Sequence, residues 1–416
     1  MASGLAPRPS HVPESRVHDF DMFADPEYLA EPHTRILRLL REAPDIFWTP
    51  RNEGHWILLR HAPVFAASRD TELFSSQVIP ESQYPALMAA LPEGLTYLPN
   101  PVPINRDPPE HGKYRAPLSK VFSPKIILAL EQKIRLLADE LIEAVRAKGE
   151  CDFIAEVAEL LPVQVFLEML GLPLSRQGEF RALVQRFLTT PPKDGLMAQL
   201  AVMRSVADAM DEFIKARRAQ PGEDIISLLW ASEIDGEPVT HEDMLNYGCL
   251  LFIAGLDTVV NGMGFGIRHL AGDPALQAKL RAQPGLIPRA AEELLRRYTF
   301  TIPARRVARD AEFQGVQFRA DDPVTLFLPG ADLDEREFPE PEKFDLDREM
   351  KPHLAFNGGP HRCLGSHLAR LELQVLYQQM LIRLPEFRLD PERPPRFHCG
   401  NIIGIDTLTI CWNPAA

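Results

Sequence analysis

The sequence predicts a mainly α-helical protein with a minor β portion, on three observations. Helical periodicity with matching start and stop signals fills most of the chain from about residue 107 to 300. Strand-like alternation is confined to three short pieces. There is no internal repeat, low-complexity tract or Ser/Gly linker, so residues 1–416 read as one domain, with 1–22 as a polar, proline-rich arm.

The elements follow in order. Asp107-Pro-Pro-Glu110 offers an N-cap, a proline in the first turn and an N3 carboxylate, which together predict a helix start. Helical runs continue through 125–148, 153–171, 175–188 and 195–218. Thr240-His-Glu-Asp243 opens a long apolar helix that Gly272-Asp-Pro274 closes. About 32 residues at 1.5 Å each give roughly 48 Å, enough to traverse the molecule. Pro288 opens another helix carrying AAEELLRRY. The strand pieces are HWILLR (55–60), an alternating stretch over 305–330 broken by Gly315 and Asp321-Asp-Pro323, and IIGIDTLTICW (402–412).

A formal net charge of −13 argues against a nucleic-acid binder, which needs a basic face. Five cysteines without a CxxC pair fit a reducing cytoplasm. The N-terminus lacks the apolar core of a signal peptide. Met244 to Ile267 carries a single charge, Asp257, and is long enough to span a bilayer. Its five glycines, two asparagines and central carboxylate argue for a buried helix instead, with no membrane contact.

The chemistry concentrates in AFNGGPHRCLGSHLARLE (355–372). A cysteine at a helix N-terminus is favoured as thiolate by unpaired N–H groups and the helix dipole. The adjacent glycines let backbone approach a flat ligand, and Phe356 can pack beside the sulfur. The plainer alternative is a small buried hydrophobe, the reading taken for Cys151, Cys249, Cys399 and Cys411. No second cysteine stands at zinc-ligand spacing.

Phe356, Gly359, Cys363 and Gly365 form an F-x-x-G-x-x-x-C-x-G pattern, and with it the chain resembles the cytochrome P450 family of haem-thiolate monooxygenases. The resemblance covers nearly the whole chain. It implies the P450 fold with a long central helix over haem b, Cys363 as iron ligand, and Phe356 and Gly365 in the haem loop. In AGLDT, Gly255 would let the helix approach the haem face. Asp257 and Thr258 match the family's proton-delivering acid–alcohol pair. Glu293, Arg296 and Arg348, otherwise surface ion pairs, become a buried structural cluster. His111, Arg115, Arg305 and His361 match partners of the haem propionates. Lys113, Arg115, Arg362 and Arg370 form a cationic patch for an acidic ferredoxin.

HVPESRVHDFDMF, GHWI, RDPPE, GLDTVVN, EELLRR, LDERE and CLGSHLAR are similar to the soluble bacterial camphor-hydroxylating branch. That likeness implies a cytoplasmic monomer that uses dioxygen and electrons from a [2Fe–2S] ferredoxin and its reductase. The expected reaction is hydroxylation of a small apolar cyclic substrate, a monoterpenoid or norisoprenoid. Leu250, Ile253, Ala254, Ile302, Pro303 and Ile402 are the expected pocket, with Tyr84 or Tyr97 for a ketone or ether oxygen. The long apolar stretch between Ser76 and Asp107, and Pro303 in place of an acidic residue, point away from camphor itself. Two other readings stand beside this one: a peroxygenase, which the Asp257-Thr258 pair disfavours, and a ligand-binding or sensor protein with a structural Cys363.

Overall fold

Helices carry the chain from Glu110 to Arg297, because apolar residues there recur every three to four positions. The computed structural model describes residues 5–79, 81–89, 100–189, 196–256 and 258–414. Helix α1 (Glu110–Val121) leads into α2 (Glu131–Arg146), which buries Ile134, Ala138, Leu141, Ile142 and Val145 along one stripe. Helices α3 (His241–Leu256) and α4 (Thr258–Gly272) flank residue 257. The start of α3 is a reciprocal cap. Thr240 Oγ1 accepts from the Asp243 N–H at 3.1 Å, and the Asp243 carboxylate accepts from the Thr240 N–H at 2.9 Å. The segment His241–Gly272 is long and apolar enough to cross a membrane, but 69% of its most apolar window is buried inside the protein.

Helix α5 (Ile287–Arg297) and α6 (Ser366–Arg383) complete the helical layer, and α6 packs on α2, α4 and α5. Small residues set the α4–α6 spacing. The Tyr377 hydroxyl donates to Gly262 O at 2.9 Å, and a methyl group on Gly266 would collide with that same hydroxyl. On Gly264 a methyl would press on Ile154 and Ile405.

The main sheet contains β1 (Ile46–Thr49), β2 (His55–Leu58), β3 (Phe74–Ser75), β4 (Ala304–Val307) and β5 (Pro323–Leu326), in the order β1-β2-β5-β4-β3. Trp48 lies opposite Trp56, and β5 runs parallel to β2. A second sheet joins Phe387–Leu389, Thr409–Trp412 and Glu150–Asp152.

Several elements differ from the sequence reading. The run 125–148 divides into Pro124–Leu128 and Glu131–Arg146, and 153–171 opens with a π turn over Ile154–Ala158. Helix Pro32–Glu42 and strand β1 lie outside the expected elements. All four residues of β1 are buried, so it shows no alternation. The arm is packed: Val12, Phe20 and Met22 are buried, and Val17 bridges to Trp48.

Candidate active site

Residues 354–363 turn sharply before α6. Gly359 sits at φ +63° against the Ser68 carbonyl, leaving no room for a side chain. The Cys363 N–H donates to Phe356 O at 2.8 Å, which closes the loop. The Cys363 sulfur is solvent-accessible, yet set deep enough that burial raises its thiol pKa. The Gly365 N–H hydrogen-bonds the sulfur, and Arg115, Arg370 and Arg362 add positive charge, all opposing the rise. Gly365 itself keeps clear of the sulfur, since a methyl there would lie 3.9 Å away.

Four cationic or basic side chains gather beside this loop. The His111 and His361 rings lie 4.3 Å apart between centroids. Arg305 is 7% exposed, and its Nη1 donates to Ala304 O at 2.7 Å. Arg115 Nη2 donates to Arg362 O at 2.6 Å. Burial first, then Arg305, His111 and Arg115, push His361 down to about 3. His111 falls to about 4 through burial and Arg115, against the opposing charge of Asp107. His111 Nε2 is buried without a hydrogen-bond partner among the described residues. The Arg115 and Arg305 guanidiniums, with two uncharged imidazoles able to donate beside them, form a receptor for anions.

On α3, Cys249, Leu251 and Phe252 are buried, whereas Leu250 and Ile253 are half-buried and Ala254 is exposed. Positions 250, 253 and 254 share one face, so this face of a central helix is less covered by protein than the face of Cys249, Leu251 and Phe252. At the start of α4, the Thr258 hydroxyl donates back to Ala254 O at 3.0 Å. Asp257 lies outside the described residues. Gly255 does not serve the expected close approach on that face: a methyl there would meet the Phe166 ring at 2.9 Å, so it serves packing against helix Leu160–Met169.

Ile302 is buried, and its N–H donates to Asn401 O at 2.9 Å. Thr301 bridges to Ile402, which aligns the half-buried Ile402 with Ile302 and the half-buried Pro303. Tyr84 starts the short helix Tyr84–Ala89 and is half-buried. Tyr97 lies outside the described residues.

Glu293, Arg296 and Arg348 come together. The Glu293 carboxylate accepts from Arg296 Nε and Nη2 and from Arg348 Nε, each at 2.9 Å. Arg296 further donates to the carbonyls of Asp332 and Pro341, so the cluster ties α5 to the chain before the cysteine loop.

The expected cationic patch is mostly occupied internally. Lys113 pairs with Glu110 and Asp235 at 2.8 and 2.9 Å, Arg370 pairs with Glu292, and Arg115 serves the Arg362 carbonyl. Arg362 is exposed and carries no ion pair among the described residues.

Three contacts had no sequence signal pointing to them. The Asp107 carboxylate binds Ser75 and Ser76 instead of capping α1, and Ser76 reaches His361.

Residues 286–408 match the family model described as cytochrome P450. The chain is 34% identical to "Probable cytochrome P450 127A1" of Sinorhizobium fredii, over 98% of this chain and 97% of that protein. It is 32% identical to a steroid C26-monooxygenase of Mycobacterium tuberculosis, over 95% and 98% of the two chains. Among solved structures, CYP101J2 superposes with a TM-score of 0.87 at 34% identity, covering 98% of this chain and all of that one. CYP101C1 gives the same TM-score and coverage at 33% identity.

Proposed function

The chain belongs to the cytochrome P450 family of haem b monooxygenases, and from that premise we propose that it hydroxylates a small apolar cyclic molecule, a monoterpenoid or norisoprenoid. The residues present fit haem. The flat-ligand loop carries a sulfur whose burial raises its thiol pKa, while an N–H and three guanidiniums partly offset that rise and stand ready to stabilise a metal-bound thiolate. The buried, unpartnered His111 Nε2 and the buried Arg305 supply positive and donor groups for two carboxylates.

In this reading Cys363 would hold the iron, with Phe356 and Gly365 shaping the loop around it. His111, Arg115, Arg305 and His361 would hold the propionates. Haem with a thiolate ligand supplies the electron-rich iron that favours O–O cleavage. The Thr258 hydroxyl, rotating off Ala254 O, would pass protons inward, with Asp257 as their source. Glu293, Arg296 and Arg348 hold the fold beneath the site and take no part in chemistry. Electrons come from a [2Fe–2S] ferredoxin approaching on the cysteine side, and the protein works as a cytoplasmic monomer.

The observation that carries the substrate class is the open aliphatic face of Leu250, Ile253 and Ala254, with Ile302, Pro303 and Ile402 beside one another across the sequence. Such a surface selects a compact apolar body, and each matched methylene contributes only ~1–3 kcal/mol of discrimination. Several related terpenoids should therefore bind. The test is a titration of the purified protein with cineole, camphor analogues, ionones, fatty acids and steroids. A spin-state shift with the cyclic terpenoids supports the reading, and tight binding confined to fatty acids or steroids overturns it.

A further inference from the structure

Asp107 stands just ahead of α1, where a capping side chain is expected, yet it caps nothing. Both carboxylate oxygens turn instead to the end of β3. Oδ1 accepts from the Ser76 N–H at 2.8 Å, and Oδ2 accepts from the Ser75 hydroxyl at 2.5 Å. The Ser76 hydroxyl lies 2.9 Å from His361 Nε2. The carbonyl of Asp107 accepts from the His111 N–H at 2.9 Å. A single residue therefore joins β3, the head of α1 and, through Ser76, the cysteine loop.

The connection has physical weight because its serine end is dry: Ser75 is 3% exposed and Ser76 4%, while Asp107 and His361 are half-buried. A buried hydrogen bond that loses one partner leaves the other unsatisfied, which costs more than the bond itself contributes. With Nε2 engaged by Ser76, the His361 ring is held in one orientation and Nδ1 is the nitrogen left to a ligand. Asp107 also sets a negative charge opposite Arg305 and His111, so the anion receptor stays assembled before any ligand arrives.

We infer that Ser75, Ser76 and Asp107 form a strut that orients His361 and His111 toward the haem propionates and so governs how long haem is retained. The inference rests on the propionate reading of the basic cluster given above. These are positioning residues, since none of them touches the reacting atoms.

The experiment follows haem transfer from the purified holoprotein to excess apomyoglobin, alongside the propionate bending band in the resonance Raman spectrum. Ser76→Ala should lose haem about tenfold faster, as expected for one buried hydrogen bond left half-satisfied. It should also shift the propionate band and leave the thiolate carbon monoxide band unmoved. Ser76→Thr, which keeps the hydroxyl, should restore both, and Asp107→Asn should fall between. If Asp107→Asn does not fold, the Ser76 pair decides alone. A Ser76→Ala rate and band equal to wild type overturn the strut, as does a Ser76→Thr rate as fast as that of Ser76→Ala. Failure of the underlying reading looks different: Arg305→Gln and His111→Gln would then also leave the transfer rate unchanged.

Discussion

The Arg370 guanidinium, carried by α6, lies 4.4 Å from the centre of the Phe356 ring in the cysteine loop. Its Nε and Nη2 donate to Glu292 at 2.5 and 3.0 Å, and His353 reaches the same carboxylate at 3.1 Å. Ring and guanidinium stack, and the carboxylate pairs with the guanidinium edge, which ties the loop and α6 to α5 through a cation–π contact and a charge-assisted pair.

That stack makes a prediction about acid. Burial opposes the charge on Glu292, but hydrogen bonds from His353 and Arg370 outweigh it and hold the carboxyl down at about 2. A lowered folded pKa contributes stability that is complete above the unfolded value of about 4.5 and is lost as pH falls through 2. Glu292→Gln should therefore be less stable than wild type by roughly 2–3 kcal/mol at pH 6, with the gap closing toward pH 2. Denaturant unfolding of both proteins across that range checks it.

Glu372 on α6 predicts the opposite trend. It is 2% exposed, its Oε2 has no partner among the described residues, and burial alone pushes its carboxyl up to about 8. A raised folded pKa means stability is full below about 4.5 and falls as pH rises through 8. Glu372→Gln should match wild type near pH 5 and exceed it by several kcal/mol, on the order of 4, at pH 9. Thermal unfolding at the two pH values decides it.

Replacing Cys363 with alanine should abolish the strongly red-shifted Soret band of the reduced carbon monoxide complex, together with oxygenation. A variant that retained the band would remove Cys363 from the iron.

Thr258→Ala should consume reductant while releasing hydrogen peroxide in place of product, because the hydroxyl above Ala254 O no longer steers protons. Asp257→Asn should slow turnover severely with little change in the substrate dissociation constant. Equal losses of binding and turnover in both variants would assign them to packing.

With Lys113, Arg115 and Arg370 engaged internally, Arg362 is the exposed cation left beside the cysteine loop. Ferredoxin reduction rates should fall as salt rises and drop several-fold in Arg362→Ala. Rates indifferent to both would place docking elsewhere.

The helical architecture was legible because its signals are local and redundant. The Thr240/Asp243 cap, the stop at Gly272 and the apolar run between them each point to the same helix. Strand β1 was not, since four buried residues between breakers carry no alternation. At the site, the cysteine pattern and the basic residues around it are compact sequence features. The Asp107–Ser76–His361 connection is not, because it joins positions 31 and 285 apart. Asp107 carried a misleading local signal: the residue type suits a cap, and only tertiary structure sends its carboxylate to a strand. Gly255 misled likewise, since a glycine in a helix announces close approach without saying to what.

Gly262 and Gly266 meet Tyr377 across the α4–α6 contact, and this has a consequence for how the protein can change. Helix α4 begins at Thr258, and α6 begins three residues after Cys363. The two helices act as the jaws of a calliper closed on a phenol ring, so the spacing of α4 and α6 is gauged by an absent methyl group. A larger residue at Gly266 would force the jaws apart, and with them the helix that begins at Thr258 and the helix that begins three residues after Cys363.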